Sequence, residues 1–235
     1  MNISINRIRA IFIKDYKEFS RNYAISAMVL LPLFLAFMYN RMGAHTLDMY
    51  MMPINMTFAM VTTFIQCCLI AEEKENNTLR SLMMSPATIA DILIGKSALV
   101  FSITAVIVAL TMYMVGFSPS NLLLFTVSLA ISTIFYLALG IICGLFTKTV
   151  MEASVAVIPV MGIFSFGPMG LMIADTYPIL GVLKGLPSAQ LIILEEHSRI
   201  GATSDMWMSL LIITAWTIVA LAIAIVLFNK RTKDD

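Results

Sequence analysis

The chain has 235 residues, a formal net charge of +1, 60 % hydrophobic residues and only 12 % charged ones. Its mean hydropathy is +0.91. A soluble domain carries roughly 25 % charged residues, so this composition excludes an ordinary water-covered surface, and the lack of a long basic run argues against a nucleic-acid partner.

Residues 1–21 open the chain with a mixed pattern. Ile5, Ile8, Phe12, Tyr16 and Phe19 recur every three or four positions, while Arg7, Lys14, Asp15, Lys17, Glu18 and Arg21 fall largely elsewhere. That spacing predicts an amphipathic helix lying on a membrane surface. The bland alternative is a topogenic flank with no further role. The apolar stretch that follows has no small-residue cleavage site after it, so it is read as an uncleaved span rather than a signal peptide.

Six stretches approach the ~20 apolar residues a bilayer-crossing helix needs. They run over residues 23–39, 51–71, 97–116, 122–146, 151–174 and 207–228. Basic residues are distributed unevenly between the loops. Arg7, Arg9, Lys14, Lys17, Arg21, Lys74, Arg80, Lys96, Lys148, Lys230, Arg231 and Lys233 fall on one side, and only Arg41, Lys184 and Arg199 on the other. The positive-inside rule then places both termini in the cytoplasm.

Polar residues within the spans include Thr57, Thr62, Thr63 and Thr104, whose hydroxyls are expected to bond locally or across helices. Asn55 and Gln66 are costlier in lipid and are expected, with Met56, at a dimer interface or along a translocation path. Met28, Met38, Met42, Met49, Met51, Met52, Met56 and Met60 crowd the first two spans. Flexible thioethers suit varied apolar shapes, although ordinary packing explains any one of them. Cys67, Cys68 and Cys143 lie in apolar stretches and read as small packing residues; no metal site is expected.

The loop over residues 72–96 is the dense charge cluster of the middle chain. Thr78 can cap a short helix, with Leu79, Leu82 and Met83 on one face at i, i+3 and i+4. Ser85 and Pro86 form a cap and first-turn pair for the next helix. A short helix with an apolar face and nothing of its own to pack on is what docking to a partner requires. Beyond the fifth span, residues 175–206 hold an apolar stretch broken by Pro178, Gly181, Gly185 and Pro187. It is too broken to cross twice and is expected to dip in as a re-entrant segment on the outer side.

Two decoys are set aside. Gly95-Lys96-Ser97 looks like the end of a phosphate loop, but Ala90 stands where the first glycine belongs and no strand precedes it. Ser165 misses the Gly-x-Ser-x-Gly elbow, and His45 and His197 fall in predicted loops. No catalytic or cofactor-binding residue is therefore expected in this chain.

Glu73-Lys74-Glu75, Thr78-Leu79-Arg80-Ser81-Leu82, Ser85-Pro86 and Gly95-Lys96 together resemble the pattern of the ABC-2 type permeases of ABC transporters, with Asn77 where that family usually has Gly. Leu186-Pro187-Ser188-Ala189 resembles the family's outer proline motif. The resemblance implies an all-α polytopic membrane protein, one domain over 1–235, with an interfacial helix, six spans and an outer re-entrant segment. It implies the transmembrane subunit of an exporter in a bacterial plasma membrane, paired with a second permease chain. Two cytoplasmic ATPase subunits would hold the ATP and Mg. Residues 78–84 would be the coupling helix, and Glu73, Lys74, Glu75, Thr78, Leu79, Leu82, Met83, Ser85 and Pro86 the ATPase-coupling residues. The cargo class expected is hydrophobic or amphipathic: a peptide, an antimicrobial compound or a lipid-like molecule. The alternatives are a non-transporting membrane scaffold or immunity protein, or an intramembrane enzyme.

Overall fold

The computed structural model describes residues 4–43, 46–76, 78, 88–171 and 177–234. All elements among the described residues are helical. They are α1 (Ile5–Arg21), α2 (Tyr23–Ala27), α3 (Leu30–Arg41), α4 (Leu47–Met56), α5 (Thr63–Glu75), α6 (Ile89–Val115), α7 (Leu122–Phe146), α8 (Val150–Ala156), α9 (Ile158–Gly170), α10 (Pro187–Ile200) and α11 (Thr203–Asp234). A π-helical turn over Thr57–Thr62 joins α4 to α5, and a 3-10 stretch over Pro178–Gly185 precedes α10.

Among the described residues, five helices are long and apolar enough to cross a membrane: Leu47–Glu75, Ala90–Val115, Leu122–Phe146, Val150–Gly170 and Thr203–Lys230. Two further pairs are bent. Ile5–Arg21 meets Ile25–Arg41 at 86°, and Pro178–Gly185 meets Pro187–Ile200 at 85°. The chain is a polytopic membrane protein with up to seven spans when each bent pair counts as one. The first bend turns the amphipathic α1 away from the apolar α3. The second falls in the proline-broken stretch, where Pro187 occupies the first turn of α10, the place a missing N–H costs nothing.

The helix formed by α4, the π turn and α5 is the centre of the bundle. Ile54, Phe58, Val61, Ile65 and Ile70 are all fully buried. Pro53 sits inside α4 and removes one backbone donor. Threonine hydroxyls take up the carbonyls of the widened turn: Thr57 Oγ1 donates to the Pro53 carbonyl at 2.8 Å and Thr63 Oγ1 to the Phe58 carbonyl at 3.3 Å. Thr62 bonds across to Thr104 on α6 at 2.8 Å. Phe58 stacks on Tyr136 of α7 with ring centroids 5.3 Å apart.

Small residues set how closely the neighbours approach. Gly140 and Gly144 lie one turn apart on α7 and face α5. A Cβ at Gly140 would stand 2.6 Å from Gln66 Cβ and 2.7 Å from the Thr63 carbonyl; one at Gly144 would stand 2.7 Å from Ile70 Cβ. This is the small-xxx-small contact that membrane helices use in place of a hydrophobic drive. Outside the bundle, Trp207, Leu211, Ile218 and Val226 of α11 and Ile158, Ile163 and Phe166 of α9 are exposed, an apolar exterior that fits lipid.

Gly140→Ala should cost about 1–3 kcal/mol, because α7 must shift off α5. Gly162→Ala, with nothing within 4 Å of the new Cβ, should be close to neutral. Unfolding midpoints of both variants in denaturing detergent check this; equal midpoints would refute the packing argument.

Candidate functional site: a buried charge junction at the root of the loop after α5

Glu73, Lys74 and Glu75 close α5, beginning two residues past the apolar stretch that ends at Ala71. Each faces a different direction on the helix, and each meets a different element.

Glu73 points inward and is 3 % exposed. Its Oε1 accepts from Lys96 Nζ of α6 at 3.0 Å and from Lys14 Nζ of α1. Its Oε2 accepts from Thr78 Oγ1, which also donates to the Glu73 carbonyl at 3.2 Å. Lys96 is fully buried, as is Asp15 of α1. Lys96 Nζ lies 3.2 Å from both Asp15 oxygens. One ammonium thus bridges carboxylates from two other helices. Lys14 also reaches Glu18 at 3.5 Å, one turn on along α1.

Lys74 donates to the Leu145 carbonyl at 2.9 Å and to the Thr147 carbonyl. These belong to the end of α7, where carbonyls lack intrahelical partners and a cation is favoured. Glu75 Oε2 accepts the Val150 N–H at 2.9 Å, at the start of α8, where free N–H groups favour an anion. The start of α8 also has its own cap, Thr149, bonded to the Glu152 N–H at 3.1 Å.

A second fastening lies five to eight residues before Lys96, at Asp91 and Thr88. Thr88 and Asp91 form a reciprocal capping box that starts α6: Thr88 N–H donates to Asp91 Oδ2 at 2.9 Å and Asp91 N–H to Thr88 Oγ1 at 3.0 Å. Asp91 also accepts the Ser4 N–H at 2.9 Å and pairs with Arg7 Nε at 2.9 Å. Between the two fastenings α1 lies against Gly95. A Cβ there would stand 2.9 Å from Ile11 Cβ and 3.2 Å from the Ile8 carbonyl. Gly95 admits α1, and Lys96 then holds it.

Burial pushes the Asp15 carboxyl above its ordinary range, with the Lys96 charge opposing. Burial also works against the Lys14 ammonium, but the Glu73 contact outweighs it and Lys14 is raised. Asp15, Glu18 and Glu73 bring oxygens within 4.8 Å of one another, a spacing a cation can bridge. Here the Lys14 and Lys96 ammoniums contact these same carboxylates. The chemistry of the junction is mechanical attachment rather than ligation or proton transfer.

The structure brings Glu73, Lys74, Glu75 and Thr78 together at this junction. Leu79, Leu82, Met83, Ser85 and Pro86 lie outside the described residues. The cap of α6 is Thr88 and not the expected Ser85, because Thr88 and Asp91 satisfy each other across the first turn. Asn55 and Gln66 are enclosed within the chain, 1 % and 0 % exposed. Asn55 Nδ2 donates to the Ser188 carbonyl at 3.2 Å, in the proline motif of α10; Gln66 lies under Gly140. Met56 is half-buried on α4.

Sequence reasoning took Asp15 for a surface charge and gave Lys96 and Asp91 no site role. A signal existed for Asp15. It interrupts the apolar stripe at Ile8, Phe12 and Phe19, where an acid needs a buried cation.

Lys96→Met leaves Asp15 and Glu73 buried without their shared cation, at a cost of about 3–5 kcal/mol. The double variant Lys96→Met with Asp15→Leu should recover most of that loss, since an apolar replacement of both partners is near neutral. Thermal unfolding of the two proteins in nanodiscs checks the order; a single variant as stable as the parent would overturn the bridge.

A profile of the family described as ABC-2 family transporter protein matches residues 11–226, nearly the whole chain. No curated protein matches it. The matched region spans Asp15, the Glu73-Lys74-Glu75 triplet, Asp91 and Lys96. The chain belongs to the ABC-2 family of transporter membrane proteins.

Proposed function

We propose that the chain is the permease of an ATP-driven exporter and that the loop between α5 and α6 is where it receives mechanical work. As an ABC-2 permease the chain is a membrane domain and not itself catalytic, and the family implies an ATPase partner. The finer reading is our own. Both termini and the loop after α5 face the cytoplasm, a short helix over 78–84 docks on the ATPase, and two permease chains, identical or related, enclose the path. Glu73 and Thr78 fasten the near root of that loop. The cargo is hydrophobic or amphipathic, and the membrane is the bacterial plasma membrane.

The observation that carries this reading is the convergence at the end of α5. Three consecutive side chains hold α1, α6, α7 and α8 to one point, Glu73 reaching α1 through Lys14 and α6 through Lys96. A push on a loop with a loose root would be absorbed by bending. Anchored by a buried ion-pair bridge and by hydrogen bonds to the ends of α7 and α8, the same push reaches four helices together. A scaffold or immunity protein has no need for such an arrangement beside a loop whose Leu79 and Leu82 stand three residues apart, the spacing of one face in a helix.

Leu79→Asp with Leu82→Asp should leave the melting profile within the error of the parent and cut ATPase retention in a pull-down by about tenfold or more, the effect of burying charge at an interface core. Undiminished retention counts against the docking assignment. In a chain freed of its native cysteines, Thr78→Cys in sealed right-side-out vesicles should resist a membrane-impermeant maleimide until the membrane is opened. Labelling of intact vesicles would overturn the orientation.

A further inference from the structure

The far end of the central helix contains a cavity the junction does not use. It lies between α4 and α9, encloses about 100 Å³, and is lined by Asp48, Met49, Met52, Asn55, Ser165 and Met169 among others. Two of its polar side chains are buried and incompletely satisfied. Asn55 is 1 % exposed; its Nδ2 is taken by the Ser188 carbonyl, and its Oδ1 has no partner. Ser165 is 4 % exposed and its Oγ has no partner. An unpaired buried polar atom costs about 1–3 kcal/mol, so each is a standing demand for a hydrogen-bonding guest.

The chemistry of that guest follows from the wall. The Ser188 carbonyl fixes the Asn55 amide so that its free atom is an acceptor. The guest must therefore bring an N–H or O–H. Asp48 is exposed at the cavity's edge and supplies a negative charge; among the described residues no lysine, arginine or histidine lines the space. The methionine thioethers offer a soft apolar wall, with the Met52 sulfur already accepting from the Tyr39 hydroxyl at 2.9 Å. Acceptors and negative charge without a cation disfavour carboxylates and phosphates. A cavity of this size takes a group smaller than benzene, which fills an engineered cavity of about 150 Å³.

We propose that this cavity binds a primary ammonium group on a short apolar stem, the leading end of an amphipathic cargo. The proposal rests on the exporter reading for the word cargo alone; the binding site stands on its own geometry. The ammonium donates to Asn55 Oδ1 and faces Asp48, the stem lies against Met49, Met52 and Met169, and Ser165 Oγ accepts a further N–H. The same chemistry is carried by a free amine and by the headgroup of phosphatidylethanolamine.

The test uses the full chain in nanodiscs of phosphatidylcholine and phosphatidylglycerol, with methionine methyls labelled by ¹³C. Titration with n-butylammonium should shift Met49, Met52 and Met169 saturably and leave Met112 and Met114 of α6 in place. Asp48→Asn should weaken n-butylammonium roughly fivefold, the scale of one exposed charge contact, and leave the neutral butan-1-ol unchanged. Ser165→Ala should weaken both. Nanodiscs containing phosphatidylethanolamine separate the sources: competition with n-butylammonium assigns the site to the lipid headgroup, and unchanged affinity assigns it to a free amine. Shifts spread equally over all methionines, or an Asp48→Asn protein that binds the ammonium as tightly as the parent, would overturn the proposal. Since no ATPase is present, a negative result leaves the exporter reading intact, and failure to find an ATPase partner leaves the binding result intact.

Discussion

The fold depends on one ammonium. Lys96 is a long cationic side chain with no exposed surface, held between Asp15 and Glu73. A lone charge in that position would be untenable; paired twice, it becomes the tie between three helices. The energetic asymmetry of such a bridge explains what it does. The assembled pairs add little net stability over an apolar core of the same shape, whereas losing one partner is severe. A device of that kind contributes less to stability than to register. It determines that α1 lies across α6 at Gly95 and not a turn away, and that the end of α5 meets both.

The Glu-Lys-Glu run then has a physical account. Its three charges fall roughly 100° apart on a helix, so they address three separate neighbours. The signs match what those neighbours offer. Glu73 meets two ammoniums, Lys74 the carbonyl end of α7, and Glu75 the N–H end of α8. Inverting each sign would set an anion against carbonyls and a cation against N–H groups. Gly95 and Lys96 divide the work in the same way: one removes a side chain so that α1 can approach, the other supplies the charge that retains it.

Much of this was legible in the sequence. Hydropathy located the long apolar helices because backbone polar groups must be satisfied internally in lipid, which leaves few options other than helix. The period of Ile8, Phe12 and Phe19 marked α1 as amphipathic. The junction was legible only in part. Glu73, Lys74 and Glu75 stood out as a charge cluster, but Lys96 was counted as a loop residue because the apolar run begins at Ser97. The helix expected to follow Ser85-Pro86 starts at Ile89, capped by the box of Thr88 and Asp91, and it carries Lys96 on a buried face. That box was visible as Thr-x-x-Asp and was passed over for Ser85-Pro86. The Gly140–Gly144 spacing was equally visible, and what it packs against was not. The cavity was not legible at all: Asn55 and Ser165 come together only through tertiary packing of α4 on α9, which no local period reports.

The junction and the cavity lie at opposite ends of one continuous helix, and that shapes how they can communicate. Any tilt imposed on α5 at Glu73 reaches Asn55 through the π turn over Thr57–Thr62. A regular α-helix would carry it as a rigid rod. A π turn is wider and has one fewer residue of intrahelical bonding, and such turns concentrate at functional positions in helices. Here its hydroxyls tie it sideways as well as lengthwise: Thr62 to Thr104 on α6, and Thr63 to the Tyr136 carbonyl on α7 at 3.3 Å. Above the turn, Pro53 has already removed one rung of the ladder. The compliant part of the central helix is therefore confined between two stiff ones, and it is bonded to the two helices, α6 and α7, that the junction also grips. Movement at the charged end is thereby steered by α6 and α7 before it arrives at the polar atoms left open at the other.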